Sequence, residues 1–315
     1  ANYETDGQYA LTGTASKSFK DKHFLTLSGG RTMFTGWSAN DVDRTFDWIP
    51  KEQYTGRVQY SYKHKNATIN IRSELLRSKL LDRGAPLLPY KEAALDEYYT
   101  NQRFDNSLSY SNKIGKSSLQ MILGNNNFNR IKNKYYRNLV TLEDVLVPGE
   151  SEQDTQTFNA SVFRTIYGLD KAKTLGIETL IGFDGNYEIG TGNRIKNDKQ
   201  EQLDAALFAS AEKQLTSFAL LRGGLRYAYN SAFESPLLYS LQTKFTLPHS
   251  QIIKLAYGKG FRAPSLKELY LDFNDSRHEV FGDSTLMSET SYSFTASFTN
   301  YYRAGKAEMS TTVDG

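Results

Sequence analysis

The sequence predicts an all-β protein, an antiparallel up-and-down transmembrane β-barrel of about fourteen strands. Three observations predict it. Apolar and polar residues alternate with period two along most of the chain. One such run, Thr174 to Ile189, lasts sixteen residues, roughly 50 Å at the usual strand rise and far beyond the ordinary soluble strand. Finally, short and long connections alternate, which puts the tight turns at one end of a sheet and the elaborate loops at the other.

The alternation is plain in Tyr54 to Lys63, where Tyr54, Gly56, Val58, Tyr60 and Tyr62 fall on one face and Thr55, Arg57, Gln59, Ser61 and Lys63 on the other. In order, strands are expected over 8–19, 24–37, 54–63, 67–79, 99–111, 118–135, 154–167, 174–189, 202–213, 218–230, 237–245, 250–261, 289–300 and 307–313. Brief connections fall near 20–23, 64–66, 112–116, 168–173, 214–217, 247–250 and 301–306. Longer ones fall near 38–53, 80–98, 136–153, 191–201, 231–236 and 262–288. The apolar parity is expected to face lipid and the polar parity the lumen, with Tyr54 and Tyr62 in aromatic girdles at the two membrane edges.

Composition agrees. Tyr (21) and Phe (18) dominate over Trp (2) and Met (4), a palette that favours strands. With 38 basic and 35 acidic side chains the net charge of +3 provides no phosphate-neutralising face, so nucleic acid is excluded as a partner. The absence of Cys excludes disulfides, thiolate zinc and cysteine nucleophiles, and it suits any compartment. No run of 18 apolar residues forms a membrane helix. A mean hydropathy of -0.56 is nonetheless compatible with strands that are apolar only at alternate positions.

No catalytic set emerges. His23, His64 and His249 lie at different short turns and His278 in a long loop, so no metal site or cofactor is expected. Gly258-Lys259-Gly260 lacks phosphate-loop spacing, His278-Glu279 lacks the second histidine of a zincin, and GxSxG is missing. The acidic pairs Asp272/Asp275 and Glu143/Asp144 have no signalled base or nucleophile beside them.

The interruption YGKGFRAPSLKELY at 257–270 is the most specific local feature. Pro264 cannot donate to a ladder and holds Ala263 extended, so the strand ends there. Ser265 and Glu268 have capping-box spacing, and Leu266, Leu269 and Tyr270 give a short helical turn one apolar side. Arg262, Arg277 and His278 are candidate contacts for an anionic ligand, and Tyr270 and Phe273 for a flat one; the alternative for each is a side chain that holds the loop in shape.

Residues 257–294 resemble the barrel signature of TonB-dependent outer-membrane receptors, through Gly260, Phe261, Arg262, Ala263, Pro264, Leu266, Glu268, Leu269 and Tyr270, then Gly282, Leu286 and Glu289. Asp283, Ser284 and Thr285 depart from the family's Asn-Pro, which bears on the local turn. Lys51 to Tyr54, Arg83 to Pro86 and Thr100 to Leu108 are similar to the first barrel half of Bacteroides-type receptors, in the branch of colicin I and ferric-siderophore receptors. The resemblance implies a 22-stranded barrel filled by an N-terminal plug with a TonB box, in the bacterial outer membrane. Residues 1–315 are then expected to be a partial barrel domain, with plug and remaining strands outside them. It implies import of a scarce, bulky solute, an iron-siderophore complex first, with haem or cobalamin as alternatives. The TonB-ExbB-ExbD complex acting on the plug is the implied partner, and a surface lipoprotein is a further candidate. A passive porin-like or adhesive barrel is the competing reading.

Overall fold

The computed structural model describes residues 2–3, 7–39, 44–149, 153–169, 176–274, 279–304 and 307–315. Fourteen long antiparallel strands follow one another in chain order. They are β1 (Gln8–Phe19), β2 (His23–Phe34), β3 (Lys51–His64), β4 (Ala67–Pro86), β5 (Ala93–Ile114), β6 (Ser117–Asn138) and β7 (Gln153–Leu169). Then come β8 (Ile177–Gly192), β9 (Lys199–Gln214), β10 (Ala219–Asn230), β11 (Leu238–Leu247), β12 (Gln251–Arg262), β13 (Glu289–Ala304) and β14 (Ala307–Asp314). Asn2–Tyr3 adds a short rung to β1, and Asp144–Leu146 pairs back on β6. Among the described residues no helix is long and apolar enough to cross a membrane.

Pairing registers place the apolar parity of every strand on one face. One row runs Tyr60, Ile71, Leu108, Leu123, Phe163 across five strands. Large apolar side chains such as Leu27, Val58, Ile71, Leu207 and Leu225 are exposed on this face, whereas its reverse carries the ion pairs Arg57–Glu74 and Arg226–Asp184. An apolar face open to its surroundings and a charged face opposite identify the lipid and lumen sides respectively. Tyr54, Phe104, Tyr187 and Tyr229 each stand ten residues from the short-turn ends His64, Ile114, Ile177 and Ala219. Ten residues of a strand tilted by about 45° climb roughly 25 Å, the height of an outer-membrane apolar band, so these rings form the upper girdle.

Short turns are tight because left-handed residues close them: Lys65 (φ 50) and Gly115 (φ 62) head two-residue hairpin loops. At the other end, the segment 80–98 departs from expectation. A loop was expected, but β4 continues to Pro86 and β5 starts at Ala93, with pairs such as Leu80–Tyr99 and Arg83–Asp96 extending the ladder. Above the membrane neither face meets lipid, so the apolar/polar period lapses while backbone pairing persists. A bulge between Arg83 and Pro86 ends the extension. There Asp96, 1% exposed, receives Arg44 through Nη1 at 2.5 Å and Nη2 at 2.6 Å.

Candidate ligand-binding rim

Among the described residues the most deeply buried large apolar side chains sit at the rim: Leu266, Leu269 and Ile195 are each 2% exposed. The sequence of the β12–β13 connection explains this. Pro264 stops β12, and Ser265 caps the helical turn α1 (Leu266–Tyr270). The capping box is complete: the Ser265 hydroxyl accepts from the Glu268 amide, and the Glu268 carboxylate accepts from the Ser265 amide at 2.8 Å. Leu266 and Leu269 then fall on one side and pack onto the lumenal face of β7–β9. Gly190 makes that approach feasible, since a Cβ there would sit 2.8 Å from Leu266 Cδ2. Gln202 Nε2 donates to the Pro264 carbonyl at 3.3 Å, and Lys267 Nζ stands 4.3 Å from the Phe158 ring centre. The connection therefore folds inward, over the lumen.

Charged groups lock this fold. Arg262 bonds to Glu268 and, through Nη1 at 3.1 Å, to Glu289 at the start of β13. One guanidinium thus ties the end of β12, the helical turn and the next strand together. The Ser265 amide, the Arg262 guanidinium and the Ser265 hydroxyl all donate to Glu268 and pull its pKa from the usual 4.5 to about 2. Gly282 lies flat against the end of α1, where a Cβ would meet the amide nitrogens of Tyr270 and Leu271 at 2.7 Å. At 283–285, where the family has Asn-Pro, Asp283 accepts from the Thr285 amide at 2.8 Å and hydroxyl at 2.6 Å, closing the turn by side-chain bonds.

The neighbouring β8–β9 loop completes the rim. Ile195 bridges to Leu271, the Asp272 amide donates to the Arg194 carbonyl at 2.9 Å, and Lys196 Nζ reaches Ser284 Oγ at 3.1 Å. Arg194 is itself anchored on the buried Asp154 at 2.7 Å. Beneath α1 the lumenal wall encloses about 590 Å³. Its floor is Asp184, held by Arg226 through two bonds of 2.8 Å and by Arg164 at 3.4 Å.

Of the five candidate contacts, Arg262 is engaged by two carboxylates and Tyr270 is half-buried at the end of α1. The backbone of Phe273 pairs with Val280, while Arg277 and His278 lie outside the described residues. Among the described residues no group of three or more His, Asp or Glu side chains could hold a metal ion. Sequence reasoning missed a second recess. Trp37 and Trp48 bridge each other across the β2–β3 loop and, with Phe34, Ile49 and Leu80, line a space of about 670 Å³. Trp48 is 67% exposed, an unusual position for so large an apolar ring. The available signal was that the two tryptophans of the chain lie eleven residues apart, one at the end of the expected strand 24–37 and one in the long connection that follows it.

Against known proteins, a family model described as TonB dependent receptor-like, beta-barrel, matches residues 3–313. Searched by sequence among curated proteins, the chain finds no match. Among solved structures it is similar to the siderophore receptor PirA from Acinetobacter baumannii (12% identity, TM-score 0.71, covering 98% of this chain and 50% of that one). It is also similar to PirA from Pseudomonas aeruginosa (12%, 0.67, 97% and 51%). The outer membrane transporter YddB from Escherichia coli matches as well (11%, 0.63, 95% and 45%). The chain spans about half the length of the solved proteins it matches.

Proposed function

The chain belongs to the TonB-dependent receptor-like β-barrel family, whose members are transport receptors of the outer membrane, and on that premise we propose that the protein imports a scarce, bulky solute with TonB-derived energy. The observation that carries this reading is the connection over the lumen. A passive pore gains nothing from an element capped by Ser265, buried through Leu266 and Leu269, and tied by Arg262 across its mouth. A receptor needs such a rigid edge against which cargo can be held.

Within this proposal residues 1–315 contribute fourteen strands of a 22-stranded barrel, and plug, TonB box and the remaining strands lie outside them. The proposal extends to the branch of ferric-siderophore and colicin I receptors of Bacteroides type, supported by the resemblance of Lys51 to Tyr54, Arg83 to Pro86 and Thr100 to Leu108. Its cargo is an iron-siderophore complex, met by the Trp37/Trp48 recess and by Tyr270, Phe273, Arg277 and His278 of the β12–β13 connection. Exposed aromatic faces suit the rings and chelate planes of such complexes, and the cations suit their negative charge. TonB-ExbB-ExbD acts through the plug, and a surface lipoprotein is a candidate accessory.

The test is growth of a deletion strain on single iron, haem or cobalamin sources. Loss of growth on a ferric siderophore, restored by the gene, is expected. Loss confined to haem or cobalamin would replace the siderophore, and unaltered growth on all would overturn the iron-or-cobalamin reading. A parent gene lacking plug and TonB box would sink energy coupling.

A further inference from the structure

The lipid-facing wall of β4–β7 carries amides at a depth where acyl chains run. Asn106 on β5 and Asn125 on β6 pair directly across the ladder, with Ser73 and Ser161 flanking them in the same row. All four share the parity of Leu108, Leu123 and Phe163, the face that meets lipid. Asn106 and Asn125 are each eight residues from the ends of the hairpin turn that joins β5 to β6, Ile114 and Ser117. That is a climb of roughly 19 Å in strands tilted by about 45°, inside an apolar band about 25 Å tall. Water is scarce there, and an amide with spare bonding capacity is costly unless a neighbour bonds it.

The wall itself satisfies only half of each amide. The Ser73 hydroxyl donates to Asn106 Oδ1 at 2.9 Å, and Asn125 Nδ2 donates to Asn159 Oδ1 at 2.8 Å and to Ser161 Oγ at 3.0 Å. Asn106 is thus engaged towards β4 and Asn125 towards β7, and the two do not bond each other. Among the described residues this leaves one spare donor, Asn106 Nδ2, and one spare acceptor, Asn125 Oδ1. Apolar chains exposed to the surroundings bracket the pair, Leu108 and Leu123 one step below, Leu75 and Phe104 one step above. Ser73, Ser161 and Gly185 keep the surface low, in a groove of about 590 Å³.

We propose that two copies of the chain meet at this wall, about a two-fold axis that follows the membrane normal and passes between Asn106 and Asn125. Such a rotation exchanges left and right and keeps height, so Asn106 of each copy faces the partner subunit's Asn125. The spare donor of one copy then meets the spare acceptor of the other, and symmetry supplies a second, identical bond. Directly paired residues differ in height by less than the strand spacing of about 4.8 Å, a gap that two amide side chains leaning together can span. Strands of the facing walls cross, since both tilt in the same sense, so the contact is a compact patch whose apolar ring shuts lipid out. Side-chain amides bonded across an interface are an established way of joining segments inside a membrane. A hydrocarbon chain offers neither donor nor acceptor, and a lipid ester carbonyl could serve only the donor. The wall lies outside the barrel, so the contact is independent of which solute the rim holds.

The test uses the full-length protein with any Cys outside residues 1–315 removed, since these residues contain none. In outer membranes a short bis-maleimide should join Leu123→Cys copies into a covalent dimer. It should leave Leu225→Cys monomeric, at the same height but on β10. In phosphatidylcholine vesicles, energy transfer between donor- and acceptor-labelled copies gives the dimer dissociation constant. Asn106→Ala and Asn125→Ala should each weaken the dimer about tenfold, because either change removes both reciprocal bonds, and the double variant should be no weaker than the singles. A mixture of the two single variants should recover about threefold, since one bond still forms between the Asn106 kept by one copy and the Asn125 kept by the other. Asn106→Ser and Asn125→Ser take the place of the alanines if those fail to insert, with the same pattern expected, and the cross-linking arm needs neither. Equal cross-linking at the two positions, additive single variants, or no recovery in the mixture would overturn the proposal. So would native mass spectrometry that shows a monomer with lipid retained at this wall in place of a second copy.

Discussion

Replacing Leu266 with Ala tests whether α1 is held on the lumenal wall by packing. Leu266 is 2% exposed, and its Cδ2 lies against the backbone of Gly190. Truncating a buried leucine costs about 2–4 kcal/mol when the site collapses only in part. The strands beneath are held by their own ladders, so the cost should fall on local opening of the 263–288 connection and not on the barrel. Hydrogen exchange in α1 should then speed up roughly 30- to 700-fold, at tenfold per 1.4 kcal/mol. Exchange in β8 and β9 should stay unaltered. Gly190→Ala supplies the sharper arm. In the parent it crowds Leu266 at 2.8 Å and Phe158 at 3.1 Å and should destabilise the connection. In the Leu266→Ala background the same methyl fills part of the vacated space and should restore protection, a coupling of about 0.5–3 kcal/mol. Additive effects, or unchanged exchange in α1, would refute packing as the force that holds this element.

Other outcomes can be checked alongside. Glu268 titrates at about 2 in the folded rim and near 4.5 when released, so its stabilising contribution is complete above 4.5 and disappears as pH falls through 2. Protection of α1, corrected for intrinsic exchange, should weaken over that window, and Glu268→Gln should flatten the dependence. Arg44→Ala leaves Asp96 buried without its guanidinium and should cost about 3–5 kcal/mol, seen as faster exchange in the β4–β5 extension, whereas Arg44→Met with Asp96→Leu should recover most of it. Gly282→Val pushes side-chain atoms into the Tyr270 and Leu271 amides and should raise protease sensitivity of the connection without changing barrel melting. Trp48→Ala should weaken cargo binding about tenfold in an equilibrium assay, and unchanged affinity would remove the β2–β3 recess from the cargo site.

Much of this protein is legible in one dimension because a membrane strand repeats a simple rule. The period-two runs Tyr54 to Lys63 and Thr174 to Ile189 locate strands, the second from Ile177 on within the described residues, and the short turns between strands order the sheet, since neighbouring segments in sequence are neighbours in space. The capping box at Ser265 and Glu268 is local too, with both partners within three residues, and the structure forms it as expected. The rule fails where its cause ends. Above the membrane nothing forces one face to be apolar, so the continuation of β4 to Pro86 and the start of β5 at Ala93 carry no period and read as loop.

The strand set, the lipid and lumen faces, the break at Pro264 and the family marker around it are all legible along the chain, because each depends on residues within a few positions of one another. The contacts made by the marker residues depend on partners that only folding brings together. Arg262, in sequence a candidate for an anion or for a loop contact, has its guanidinium bonded to Glu268 and Glu289, six and 27 residues away. Trp37 and Trp48 became a recess, and Asn106 and Asn125 became one patch, through pairings between strands and across a loop. Such sites are set by which distant residues share a height and a face, and in a barrel that depends on the register of each strand against the next.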